Sequence, residues 1–212
     1  MRNTALTTAL LSALALTACD IQDETLDGGL DPDSGSEAPL EVQPPVYTWV
    51  VVTDTSAELN PFGAPGADIC GVSFDCGGDR TGYGVDAELW EGDGDFCHAG
   101  ERVNGEACFA DRDDPLAAVG EPHDPCEADS NPSHYVALGV GGVLAVRLDT
   151  EAGDLDDRGL AGCAITVHER VNRDEESYAV SVCVDAGGVQ CLQPRLADAP
   201  AGGELRFVVP MP

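Results

Sequence analysis

The sequence predicts an all-β domain, a disulfide-stapled antiparallel β-sandwich, on three observations. From Val46 onward, short apolar or alternating runs rich in Val, Thr, Tyr and Phe are separated by clusters of Gly, Asp, Pro and Asn. No stretch keeps a 3.6-residue hydrophobic period beyond two turns. The chain holds nine cysteines, of which one sits in an N-terminal motif of its own, leaving an even eight for disulfides. A hydrophobic content of 43% supplies enough apolar side chain for a core.

The first element is a targeting segment. Met1-Arg2-Asn3 carries one positive charge, and residues 5–17 read ALTTALLSALALT, an apolar run of 13 residues. That is short of the roughly 20 residues a bilayer-spanning helix needs, and its charged start and small-residue end describe a secretory signal. It closes on Leu16-Thr17-Ala18-Cys19, which resembles the lipobox of bacterial lipoprotein signal peptides. The resemblance implies a signal peptide over 1–18, cleavage before Cys19, and acylation of Cys19 with palmitate-type chains. Several chains on one cysteine anchor stably where a single chain is marginal. No later segment is long and apolar enough for a transmembrane helix.

Residues 19–45 follow as the lipidated cysteine and a tether. They are acidic, contain no basic residue and are rich in Gly, Ser and Pro without hydrophobic periodicity, the composition of a disordered linker. The folded domain is expected over 46–212. Formal charge is −29, with ten basic residues that are all arginine. Such an acidic chain is repelled by nucleic acid and by anionic headgroups, which excludes both as partners. Cations, cationic partners and neutral ligands such as glycans remain.

Within the domain the expected strands are Val46–Thr53, Ile69–Phe74, Gly84–Trp90, Tyr135–Leu138, Val143–Leu148, Cys163–Glu169, Ser177–Val184 and Leu205–Val209. Alternation places Leu144, Val146 and Leu148 on the core face of one strand, with Arg147 outside, and Ile165, Val167 and Glu169 on one face of another. Eight cysteines allow 105 pairings, and local spacing suggests one of them. Cys183 and Cys191 flank a hairpin turn over Asp185–Gly188, Cys70 and Cys76 flank a short bend, and Cys97 with Cys108 closes a loop, which leaves Cys126 with Cys163. No CxxC pair and no His/Cys cluster has zinc-like spacing, so zinc is not expected.

Four blocks resemble a known family. They are Gly66-Ala67-Asp68-Ile69, Asp114-Pro115-Leu116-Ala117-Ala118-Val119-Gly120, the segment 132–144 ending in Leu138-Gly139-Val140-Gly141-Gly142-Val143-Leu144, and Val167-His168-Glu169 with Tyr178-Ala179-Val180-Ser181-Val182. In that order they resemble the jelly-roll β-sandwich module of secreted and cell-surface bacterial proteins, similar in outline to galactose-binding-like and carbohydrate-binding sandwiches. The resemblance covers roughly residues 66–184 and implies a jelly-roll fold. The chain departs from it by a cysteine-rich insertion between Cys76 and Cys126, and by Cys70 where the module commonly carries Asp.

Glu169 follows two expected core residues, and a carboxylate at a core's rim needs a partner. It either ligates calcium together with Asp68, Asp114 and backbone carbonyls, or accepts hydrogen bonds from loop N–H groups or an arginine, or is solvated at the strand end. GxSxG, HExxH and phosphate-binding glycine loops are absent from the sequence. Trp49 and Trp90 are expected in the core, the usual place for tryptophan in a chain with 5% aromatic residues. These readings converge on a membrane-anchored lipoprotein, not an enzyme, at the outer membrane or cell surface rather than the inner membrane. Its extracytoplasmic β-sandwich is expected to be a binding module for a glycan or an envelope protein, stabilised by calcium. A structural envelope lipoprotein with no small ligand is the alternative, and a hydrolase a more distant one. A concave face with exposed aromatics near Trp49 or Trp90 distinguishes the first from the second.

Overall fold

Strands form where the alternating runs stand. A computed structural model describes residues 44–56, 65–103, 105–109, 111–122, 126, 134–150, 155–170, 176–192, 197–200 and 203–211, which fall in the unit Gln43–Pro212. The expected signal peptide, Cys19 and the tether up to residue 43 lie outside the described residues. The strands are β1 (Trp49–Asp54), β2 (Asp68–Asp75), β3 (Thr81–Trp90), β4 (Arg102–Val103), β5 (Glu106–Ala107), β6 (Val136–Ala137), β7 (Val143–Thr150), β8 (Ala164–Glu169), β9 (Tyr178–Cys183), β10 (Ala197–Ala199) and β11 (Leu205–Val208). All eight expected strands are present. The short β4–β5 hairpin and β10 were not expected, being too brief to show alternation.

The sheet runs β10-β9-β1-β7-β3-β2-β8-β11, with β6 beside β2 and every pairing antiparallel. The pairing is nested: β3 with β7, β2 with β8, β1 with β9. This is a long antiparallel double strand wrapped on itself, the jelly-roll arrangement of a β-sandwich. Inward residues from both halves meet in one core. Val50, Val52, Leu144, Val146, Leu148, Val180 and Val182 come from one side, and Ile69, Val72, Phe74, Ile165 and Val167 from the other. Each contributes about 1.5–3 kcal/mol on burial, and Arg147 points outward between Val146 and Leu148 as the alternation requires.

Four disulfides staple the domain: Cys70–Cys126, Cys76–Cys163, Cys97–Cys108 and Cys183–Cys191. The last two are the expected pairs; the first two replace the expected Cys70–Cys76 and Cys126–Cys163. Residues 70–75 are strand rather than bend. At ~3.3 Å per residue, six steps from Cys70 to Cys76 far exceed the ~4.4–6.8 Å between bonded Cα atoms. Cys76 instead continues the ladder one step past Asp75↔Ala164, which sets it opposite Cys163. Cys70 is the extra residue of a bulge between Ile69 and Gly71, and its side chain joins Cys126, Tyr135 and Ala137 in a separate buried cluster.

The block beginning at Asp114 folds as a 3-10 turn over Pro115–Ala118. Asp114 is its N-cap, accepting the Leu116 N–H at 3.0 Å, and Pro115 fills the first position, where no donor is needed. The turn buries Ala118 and ends with the Gly120 N–H donating to the Gly84 carbonyl at 2.8 Å. A Cβ on Gly84 would lie 2.6 Å from Val146 Cγ1 and 3.1 Å from the Ala118 carbonyl, so glycine is what lets the turn sit on β3.

Two glycine-rich blocks interlock at the end of β1. The Leu138 N–H donates to the Ala67 carbonyl at 3.0 Å, and the Gly139 N–H to the Pro65 carbonyl at 2.7 Å. The buried carboxylate of Asp54 ties them to β1. It accepts the N–H groups of Ser56 at 3.1 Å, Ala67 at 2.8 Å and Gly141 at 3.0 Å, and the Ser56 hydroxyl at 2.8 Å.

Candidate functional site

β3 begins with Gly82 and Gly84 facing inward. Strict alternation from them would also turn Trp90 inward. Between Gly84 and Asp86 the register with β7 slips by one, leaving Val85 as the extra residue of a bulge. Beyond it Ala87 and Leu89 take the core side, while Asp86, Glu88 and Trp90 face out. Trp90 is 44% exposed. The structure thus overturns the expectation of a core position for both tryptophans: the bulge is the reason for Trp90, and Trp49 shares the outer face of β1 with Val51 by alternation.

Outside the sheet, Trp90 pairs with Val143, Val143 with Thr53, Glu88 with Ala145, and Ala145 with Val51. Val51, Ala145 and Cys183 form a buried cluster on this outer face, with Trp49, Val143, Ala186 and Cys191 packed against it. Both tryptophans therefore lie on the same outer face, Trp49 half-buried and Trp90 exposed. Val51, Trp90, Val143, Ala186, Gly187 and Gly188 line a groove of about 320 Å³. Its far wall is the turn after β9, closed by Cys183–Cys191 and by Asp185, whose Oδ1 accepts the Val189 N–H at 3.3 Å. The wall is held covalently and consists of small residues, so the Trp90 ring stays open. Glu88 on β3 and Ser181 on β9 lie in register on either side of the Val51–Ala145 pair and supply polar groups beside the apolar floor. An apolar groove with a few polar groups at its edge orients a ligand through the polar groups and holds it through the apolar floor.

The three acids expected around calcium are placed differently. Asp114 is exposed and spent on its cap. Asp68 is fully buried and faces Arg170, whose Nη1 lies 3.6 Å from its Oδ2. Arg170 also donates to the Tyr135 hydroxyl at 2.8 Å. The Tyr135 ring carries two guanidiniums, Arg112 at 4.4 Å and Arg170 at 4.8 Å from its centroid. Glu169 is 2% exposed and accepts the Gly203 N–H, while the Tyr178 hydroxyl donates to the Gly203 carbonyl at 2.5 Å. The ligand atoms of Asp68, Asp114 and Glu169 do not converge within 4.8 Å of one another. Arginine answers Asp68 and a loop N–H answers Glu169, the second of the three roles open to Glu169 in the sequence.

Burial pushes the Glu169 carboxyl up to about 8, the Gly203 N–H pulling it back and the nearby Glu176, Asp68 and Asp54 charges adding to the rise. Glu169 is therefore largely protonated at neutral pH. The Tyr178 hydroxyl is pushed upward by burial and by the Glu169 and Glu204 carboxylates. Burial lowers the Arg112 guanidinium, against the opposing pull of Asp68.

Asp54 and the Trp90 groove were the parts missed in the sequence. A lone aspartate at a strand end looks like ordinary turn chemistry, and the bulge at Val85 follows Gly84, whose carbonyl accepts the N–H of Gly120 from a distant stretch of the chain. The chain matches no protein-family model, no curated protein and no solved structure.

Proposed function

We propose that the chain is a lipid-anchored, non-catalytic binding module of the cell envelope that holds a neutral glycan against Trp90. The observation that carries this reading is the exposed indole in a disulfide-walled apolar groove on the outer sheet face. An indole offers a flat apolar surface to the C–H-rich face of a sugar ring, and a groove of about 320 Å³ is of a size for one or two such rings. The formal charge of −29 disfavours anionic ligands.

Titrating the protein with neutral oligosaccharides of glucose, galactose and N-acetylglucosamine, read by tryptophan fluorescence, tests this proposal. Saturable binding is expected for at least one, weakened about tenfold or more by Trp90→Ala, since a lost ring contact of ~1.4 kcal/mol is a factor of ten. Binding that survives Trp90→Ala unchanged sinks the groove assignment. No binding at all returns the weight to a structural envelope lipoprotein without a small ligand.

The anchor is proposed from the N-terminal motif alone. In cells, Cys19→Ser is expected to move the protein from the membrane fraction to the soluble fraction, and mass spectrometry of the wild type to find acyl chains on Cys19. Retention of the variant in the membrane would sink the lipid anchor.

A further inference from the structure

The cysteine-rich insertion between β3 and β6 brings one imidazole and two carboxylates together. His98 Nδ1 lies 3.5 Å from Asp113 Oδ1 and 3.8 Å from Asp111 Oδ1, and one ligand atom from each of the three residues falls within 4.8 Å of the others. Charge-assisted N–H···O bonds settle nearer ~2.7–2.9 Å. A tetrahedron of ligands around an ion bound at ~2.0–2.2 Å has edges of ~3.3–3.6 Å; the His98–Asp113 spacing of 3.5 Å falls in that range and the His98–Asp111 spacing of 3.8 Å just beyond it.

The scaffold fixes this geometry from several directions. His98 follows Cys97, which is bonded to Cys108. The Arg112 N–H donates to the Cys97 carbonyl at 2.9 Å, which clamps the strands of chain bearing His98 and Asp111–Asp113 side by side. The Ala137 N–H of β6 donates to the Arg112 carbonyl at 2.7 Å, tying the clamp to the main sheet. The Ala99 N–H donates to Asp111 Oδ1 at 2.8 Å and orients that carboxylate. Such outer contacts are what hold metal ligands in place. His98 and Asp111 are 47% and 58% exposed and Asp113 21% exposed, which leaves the outer side open to water or to a ligand from outside.

We propose that His98, Asp111 and Asp113 form a surface site for one divalent transition-metal ion, of which Zn2+ is the test case. A nitrogen donor selects zinc, copper or nickel over calcium and magnesium, which take all-oxygen shells of six or more ligands. Three protein ligands with an open position is the pattern of a zinc site that exchanges its remaining ligand. The site lies on the insertion, apart from the groove residues, and does not rest on the glycan reading.

Calorimetric titration of the protein with zinc chloride alone, at 0.15 M salt to screen diffuse attraction to the acidic surface, is the test. One zinc per chain is expected, with no saturable calcium heat at the same concentrations. Affinity is expected to fall at least about tenfold in both His98→Ala and Asp113→Asn. Proton resonances of the histidine rings give a second readout on the wild type. Of the four histidines, zinc is expected to shift first the signal missing from His98→Ala. Absence of stoichiometric zinc binding would overturn the proposal. So would binding undiminished by His98→Ala, or a first shift at another histidine.

Discussion

Replacing Asp54 with alanine is expected to destabilise the domain by on the order of 4 kcal/mol, lowering the melting temperature by about 10 °C. Asp54 is 2% exposed and accepts four hydrogen bonds from Ser56, Ala67 and Gly141. Bonds to a charged acceptor are worth ~1.5–3 kcal/mol each, and they share one carboxylate, so the total is less than their sum. Alanine leaves the Ala67 and Gly141 N–H groups without their acceptor where β1 meets the two glycine blocks. Asp54→Asn keeps one acceptor oxygen but turns an NH2 towards the other donors, and an intermediate loss is expected. Urea denaturation of the three proteins at one pH measures this. A loss below about 1 kcal/mol in Asp54→Ala would show that the blocks interlock without the carboxylate.

The second large effect is a pH dependence centred on Glu169. Its carboxyl is raised from 4.5 to about 8 in the folded protein, mainly by burial. Between those values the folded state holds a proton that the unfolded state has lost, so stability falls as pH rises. The contribution is complete below 4.5 and is gone once pH has passed about 8. At about 1.4 kcal/mol per pH unit, that window is worth on the order of 5 kcal/mol. Glutamine mimics the protonated acid and keeps an oxygen for the Gly203 N–H. Glu169→Gln is therefore expected to flatten the decline between pH 5 and pH 8, and to exceed the wild type in stability at pH 8. Parallel slopes for the two proteins across that window would show that Glu169 ionises normally.

Glu169 also shows what the sequence made legible. The parity of Ile165, Val167 and Glu169 followed from strand alternation alone, and the structure places all three on the buried face. The same rule located all eight main strands, because each carries an inward apolar set that a one-residue slip would expose. Alternation fails where a bulge resets it. Cys70 and Val85 are both bulge residues: the first sends its side chain to Cys126 outside the main core, and the second turns Trp90 away from it. Partners that cross the fold were equally hidden. Cys76 finds Cys163 because β2 lies beside β8, and Asp68 finds Arg170 at the far end of the same ladder. Spacing along the chain carries no information about either. The expected calcium group drew Asp114 toward Asp68 and Glu169 from motif order, whereas Asp114 caps the 3-10 turn that leads to the Gly120–Gly84 hydrogen bond.

Amide and indole spectra of the 15N-labelled protein, recorded with and without the oligosaccharide that quenches its fluorescence, test the groove most directly. Shifts are expected at the Trp90 indole N–H and at the amides of Val51, Val143, Ala186, Gly187 and Gly188, with the Arg112–Tyr135 region unmoved. Shifts confined to any other face, with the Trp90 indole N–H unmoved at saturation, would contradict the assignment of this groove as the ligand site.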